Sequence, residues 1–304
     1  MNRPAQSPAL SLGPILFHWP AQRKRDFYFR IADEAPVDTV YLGEVICSKR
    51  MPFFAPFLDE VIERLQRSGI QVRLSTLAEI TIQRDQREVE LACDRRDVIV
   101  EANDASALNR LAGRPHAIGP YLNVYNEDTL AFLAGKGAIH VTLPSEIPAD
   151  AIAILGASAR SLGVGLEVQV YGRAPLALSA RCYHARAHGR VKDTCQFVCE
   201  NDADGLDLET LDAKSFLTVN GIQVLSHTCL NLAHALEAMV AQGVTDFRIS
   251  PHSQDMVAVA RTFRSVLDRE IDPDEASRRL QVIGLPVPFS NGFYRHVEGY
   301  RWAN

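Results

Sequence analysis

No stretch of this 304-residue chain is apolar for the roughly 20 consecutive residues that a membrane span requires. The opening MNRPAQSPAL lacks the apolar core of a secretory leader, so the cytosol is the expected compartment. Positive charge is not in excess. Lys and Arg number 32 against 37 Asp and Glu, a formal charge of -5, which argues against nucleic acid as the main partner. No glycine-rich phosphate loop follows the first predicted strand, so a doubly wound nucleotide-binding sheet lacks its signature. The chain also lacks an HExxH zinc motif, a recognisable Ser–His–Asp set and a radical-SAM C-x3-C-x2-C run. Neither a solenoid repeat nor a low-complexity linker is present.

What is present is an ordinary globular composition, 47% hydrophobic and 23% charged, with six cysteines. In a reducing compartment these read as ligands or core residues rather than as disulfides. Three fall within SARCYHARAHGRVKDTCQFVCEND: Cys182, Cys195 and Cys199, spaced C-x12-C-x3-C. Arg181, Arg186, Arg190 and Lys192 flank them, and nearby cations favour thiolates. Thiolates are what a soft metal or an iron–sulfur cluster takes. Structural zinc is the alternative, but four-cysteine zinc sites usually show two short C-x2-4-C knuckles and this chain has one short pair.

Eight strands are predicted, at Gly13–Trp19, Thr39–Val45, Gln71–Ser75, Asp97–Glu101, Ala117–Val124, Ile139–Leu143, Gly165–Tyr171 and Thr245–Ser250. Helical spacing separates most of them, clearest at Phe54–Ser68 and in the Ala-rich Pro148–Leu162. Strand–helix alternation of this kind predicts an α/β fold, a TIM-like (β/α)8 barrel forming one domain over 1–304. An insertion at 172–243, after strand seven, interrupts the rhythm. It carries the cysteine trio, an acidic turn at Glu200–Asp207, a hairpin signal at Asn220-Gly221, and a predicted helix at Asn231–Val240. An insertion at a strand's C-terminal end lies on the face where barrel enzymes keep their active sites.

Three cysteines leave one iron of a cluster open. The residues leave three candidates for a fourth ligand. Cys47 follows strand two and so shares the insertion's face. Cys93 lies in a helical run at the opposite end and reads as a small core hydrophobe. Cys229 lies inside the insertion.

The stretch VQVYGRAPLALSARCYHARAHGRVKDTCQFVC resembles the cysteine region of the peptidase U32 family. SLGPILFHWP, VDTVYLGEVICSKR, LTVNGIQVLSHTCLNL and FRISPHSQD agree with it, so the resemblance spans nearly the whole chain. Within the family it is similar to the members that serve O2-independent ubiquinone biosynthesis. That resemblance implies an oxygen-sensitive [4Fe-4S] cluster on Cys47, Cys182, Cys195 and Cys199. It implies a heterodimer with a UbiU-like second family member, and a UbiT-like lipid-binding protein in the same pathway. The reaction implied is hydroxylation of a prenylated phenol quinone precursor, with prephenate as the oxygen source. "Peptidase" is the family's historical label, and no catalytic dyad for proteolysis is evident.

Strand seven alternates Leu166, Val168 and Val170 with Glu167, Gln169 and Tyr171, which predicts Glu167 and Gln169 in the barrel interior. Arg248 on strand eight should face Glu167, as an ion pair near the barrel mouth. Glu44, Glu146, Arg173 and His252 sit at or just past strand ends, where substrate-binding side chains belong. Arg173 could grip a carboxylate such as prephenate's in bidentate fashion. His184 and His188 are candidate hydrogen-bond donors around the cysteines.

Overall fold

A computed structural model describes residues 8–303. The first seven residues of the opening stretch, read above for a leader, lie outside the described residues. Seven parallel strands follow one another around a barrel: β1 (Ala9–Leu12), β2 (Thr39–Leu42), β3 (Gln71–Ser75), β4 (Ile99–Ala102), β5 (His116–Ile118), β6 (Ala138–Thr142) and β7 (Gly165–Gly172). Five short strands then lie in the insertion: β8 (Pro175–Leu178), β9 (Leu206–Glu209), β10 (Ser215–Asn220), β11 (Gln223–Ser226) and β12 (Cys229–Asn231). Strand β13 (Asp246–Ile249) pairs in parallel with both β7 and β1 and closes the barrel. The fold is a TIM barrel. A two-residue strand, β14 (Phe289–Ser290), adds to β12.

Helices cover the outside because each presents an apolar stripe at helical spacing. In Met51–Arg67 the stripe is Phe54, Val61, Ile62 and Leu65, all buried against the barrel. On the strands, period-two alternation sends Leu10, Leu12, Val40, Leu42, Leu166, Val168, Val170, Phe247 and Ile249 into the apolar layer between strands and helices. The opposite faces point inward and are polar. Ser11, Tyr41, Thr142 and Glu167 meet there by hydrogen bonds drawn from four different strands.

The insertion folds as an antiparallel sheet in the order β8-β11-β10-β9. Its hairpin is one residue later than the Asn-Gly signal suggests: Asn220 pairs with Gln223, and the turn is Gly221-Ile222. Gly221 takes φ +63°, which a glycine at the first turn position accommodates without strain.

Three sequence expectations are corrected. The fifth strand is His116–Ile118, not Ala117–Val124, because the chain turns into a single 3-10 turn at Pro120–Leu122. The first strand is Ala9–Leu12, not Gly13–Trp19. Pro14 has no N–H to give a ladder, and Ile15, Phe17 and Trp19 are buried as irregular chain beneath the insertion. The expected helix Asn231–Val240 begins at Leu236. Cys229–Asn231 instead pairs antiparallel with the end of β7, and the Asn231 side chain accepts the Ala233 N–H (3.1 Å) to turn the chain out of the strand. No described helix is long and apolar enough to cross a membrane.

Candidate metal centre

Cys47 lies five residues past β2, at the start of a single 3-10 turn, Ser48–Arg50, that leads into the helix Met51–Arg67. Its loop is held from within. The Glu44 carboxylate accepts the backbone N–H groups of Ile46 (3.0 Å) and Cys47 (3.1 Å). The other three cysteines come from the segment between β8 and β9. Cys182 caps the short helix Tyr183–Ala187, its sulfur accepting the Ala185 N–H at 3.4 Å. Cys195 ends a 3-10 turn, and Cys199 sits inside the next one. Between them Gln196 and Phe197 both take positive φ, near 50°, which reverses the chain so that Cys195 and Cys199 face the same space.

These four cysteines line one small cavity with Lys49, Arg50, His184 and the hairpin tip Gly221-Ile222. Cys93 and Cys229 are elsewhere. Cys93 is buried on the helix Gln83–Asp94, and Cys229 is fully buried in β12 beside Tyr171. Burial pushes the Cys93 thiol up to about 11 and the Cys229 thiol up to about 12, as inert core thiols behave.

Cations from two segments stitch the cavity together. The Lys49 ammonium donates to the carbonyls of Lys192 (2.7 Å) and Asp193 (3.1 Å) and lies 3.5 Å from the Cys195 sulfur. Arg50, 3% exposed, donates to the Leu16 carbonyl (2.8 Å) and to the Asn220 side-chain oxygen (3.0 Å). It stands 3.8 Å from Glu44. Burial pushes the thiols of Cys47, Cys182 and Cys199 up, and the Arg50 charge opposes that rise at all three. The sequence reading assigned the local field to Arg181, Arg186, Arg190 and Lys192. The dominant cation is Arg50, from the other side of the site, and Arg181, Arg186 and Arg190 are turned outward or only part-buried.

Among the described residues no group of three His, Cys, Asp or Glu side chains stands ready to hold a metal ion. The donor set of the cavity nevertheless fits a thiolate-bound group. Its lining has four sulfurs, no carboxylate, and the cations Lys49, Arg50 and Lys192 to balance thiolate charge. His184 adds a buried Nδ1 with no partner, while its Nε2 is 2.8 Å from Asp202. His188 stacks on the His184 ring and is tied to the His184 carbonyl.

The barrel interior carries the expected Glu167–Arg248 pair, Nη2 to Oε2 at 2.5 Å. Arg248 also reaches Glu101 (2.7 Å) and lies 3.8 Å over the Tyr41 ring. Burial works against the Glu167 charge, but Arg248, with His140, holds the carboxyl well below the usual carboxylate range. The cluster lies toward the C-terminal strand ends, where Glu101 and Arg248 are each one residue short of the end of their strands and Thr142 ends β6. The β10–β11 hairpin lies across that end, with Gln223 donating to the Tyr121 hydroxyl (2.6 Å) and Asn220 to the Leu16 carbonyl (2.7 Å). The space left between Glu101, Gln169 and Arg248 is about 20 Å³, enough for one water.

The remaining candidates sit at the rim. Arg173 does not reach out as a free carboxylate grip. Its guanidinium donates to Thr218 (2.6 Å), to the carbonyls of Ser226 (2.9 Å) and His227 (3.0 Å), and to Asp207 (3.0 Å), fastening the inserted sheet to β7. His252 is buried. Its Nε2 accepts the Arg173 N–H (3.1 Å), and its Nδ1 faces Asp204 at 3.5 Å. Ser253 bonds Asp204 rather than His252, so these three residues have the composition of a hydrolase triad without its wiring. Glu44 is committed to the Cys47 loop. Glu146, half-buried, accepts from Tyr125 on a rim groove. Sequence reasoning missed Lys49 and Arg50. The signal available was their place immediately after Cys47, in the motif EVICSKR.

Residues 28–302 match the peptidase family U32, and the chain belongs to that family. Among solved structures it is similar to a Xanthomonas albilineans dihydropteroate synthase (13% identity, TM-score 0.46, covering 88% of this chain and 93% of that one). It is also similar to a Thermotoga maritima phospho-2-dehydro-3-deoxyheptonate aldolase (9% identity, TM-score 0.42, covering 94% and 72%). A third is the tryptophan synthase of M. tuberculosis (10% identity, TM-score 0.37, covering 92% and 94%).

Proposed function

We propose that this U32-family chain is a UbiV-type iron–sulfur subunit of an O2-independent hydroxylation system in ubiquinone biosynthesis. In this reading it acts beside a UbiU-like partner, with a UbiT-like lipid-binding protein in the same pathway. The substrate is a prenylated phenol quinone precursor and the oxygen source is prephenate. One observation carries the reading: of six cysteines, the four that match the family's ligand set line a single cavity, and the other two are core thiols elsewhere.

Cys47, Cys182, Cys195 and Cys199 would hold a [4Fe-4S] cluster, which supplies one-electron transfer when bound. The chain's own contribution is to bring two distant segments together. Glu44 fixes the Cys47 loop, Lys49 ties that loop to the Cys195 segment, and Arg50 offsets thiolate charge from beneath. Phe197 and Ile222, which also line the cavity, limit water access, and that favours a cluster over hydrolysis. Arg173 is not the prephenate grip in this reading, because both terminal nitrogens already donate within the protein and its partnerless Nε is buried.

Cells lacking this chain test the reading. Grown without oxygen, they should lose ubiquinone and accumulate the unhydroxylated prenylated phenol, while aerobic cells keep normal quinone. Unchanged anaerobic ubiquinone contradicts the proposal.

A further inference from the structure

Around most of the barrel, neighbouring helices pack together, as Ala21–Glu34 does on Met51–Arg67, and Gln83–Asp94 on Ala105–Leu111. Between Met51–Arg67 and Gln83–Asp94 there is instead a groove of about 540 Å³, bridged at one end by the Asp59–Arg95 ion pair (2.7 Å). Its walls are mostly apolar, with Phe54, Ala55 and Leu58 from one helix, Leu91 and Ala92 from the other and Leu74 from β3, and with Glu88 also on the second helix. Leu91 is 55% exposed, although it borders this space. A pocket of this size and lining suits a small organic molecule.

The inner end of the groove is charged. Lys24, 6% exposed on the helix Ala21–Glu34, opens into it beside Arg50 and Glu44. Glu44 already serves two backbone N–H groups and faces Arg50. The Lys24 ammonium lies 4.8 Å from the Phe54 ring centroid, and no described residue accepts a hydrogen bond from it. The Lys24 side chain is mostly buried while its ammonium faces the groove, and an anion entering that partly desolvated space pairs with it more strongly than in bulk water. Glu88 and Arg95 also line the groove, but Arg95 is paired with Asp59 and Asp97 and Glu44 faces Arg50, so Lys24 is the lining cation that has no carboxylate within 4.0 Å.

We propose that this groove is a binding site for an amphipathic molecule with an apolar body and a single carboxylate-type anionic head, the head pairing with Lys24. The inference stands on the groove alone and holds whether or not the cysteines carry a cluster. Arg50 lines both the groove and the cysteine cavity, so the head of the bound molecule stands one side chain from Cys47 and Cys199.

Calorimetric titration of the full-length protein, below the micelle concentration of laurate and the solubility limit of dodecanol, tests the site. Laurate should bind, dodecanol about 10- to 100-fold more weakly, as for loss of a charge-assisted hydrogen bond, and acetate not measurably. Lys24→Met should remove the preference for laurate over dodecanol, and Lys24→Arg should restore it. Ala55→Trp, a change at an exposed position that fills the slot, should abolish binding of both chains while thermal melting stays near wild type. Equal binding of laurate and dodecanol to the wild type, or laurate binding undiminished in Lys24→Met or Ala55→Trp, overturns the proposal.

Discussion

The tip of the inserted hairpin rests on the arginine beneath the cysteine cavity. A Cβ placed on Gly221 would come within 2.9 Å of the Arg50 Nη2. Gly221 also takes φ +63°, accepts the His184 N–H (3.4 Å) and lines the cavity. One glycine therefore joins the hairpin, the cation and the cysteine segment.

Gly221→Ala should be destabilising by about 1–2 kcal/mol, from the left-handed backbone together with displacement of Arg50. It should also reduce metal retention after desalting. Thermal melting and metal content of the purified variant check this. A variant that melts and retains metal like wild type would mean the hairpin does not brace the site.

Replacing Arg50 with Met removes the buried cation that stands 3.8 Å from Glu44 and leaves that carboxylate only the more distant Lys24. The expected loss is of the order of 3–5 kcal/mol, as for breaking a buried pair from one side. Arg50→Lys should be milder, since one charge remains, but it cannot reach both Leu16 and Asn220. Denaturant melts of the two variants should rank wild type, then Lys, then Met.

The interior pair predicts a pH dependence. The folded Glu167 carboxyl lies well below its ordinary 4.5, so its contribution to stability is present above pH 4.5 and is lost as pH falls through the lower, folded value. Glu167→Gln should flatten the acid limb of the stability curve. Arg248→Met should destabilise at neutral pH, by about 3–5 kcal/mol, because it strands Glu167 and Glu101 together. Chemical melts from pH 3 upward separate the two effects.

His18 supplies a second, higher window. Burial first, and then Arg50 and Lys24, pull it down from 6.5 to about 4. The unfolded chain binds its proton below pH 6.5 while the folded chain does not until about 4, so stability falls as pH drops between those values. His18→Gln should reduce that slope, and an unchanged slope would show that His18 does not hold its low value.

Much of the barrel was legible because its strands alternate so regularly. The pattern GLEVQVYG alone placed Glu167 inward and Leu166 outward, and TDFRIS did the same for Arg248. The first strand was misplaced because ILFHW has the composition of a strand, while Pro14 and the later arrival of the insertion over those residues decide their conformation. The β12 segment was read as helix because its strand partners, the end of β7 and the late Phe289–Ser290, are far away in sequence. At the site, cysteine spacing exposed three members, and the position of Cys47 after β2 offered a fourth. Arg50 and Lys49 escaped because their partners come from segments some 34 to 170 residues away, and no local pattern encodes those contacts. Arg173 was misjudged for the same reason, since its partners on β9 and β10 lie 34 and 45 residues on.

The central claim is that Cys47, Cys182, Cys195 and Cys199 together hold one iron–sulfur cluster. The direct measurement is iron, sulfide and zinc content, with the visible spectrum, of protein purified without oxygen, for wild type and each Cys→Ala variant. The account predicts about four irons and four sulfides per chain, with a broad absorption that bleaches in air. That signal should be lost or degraded in each of the four variants and kept in Cys93→Ala and Cys229→Ala. A colourless zinc protein, or a cluster that survives Cys47→Ala intact, would contradict it.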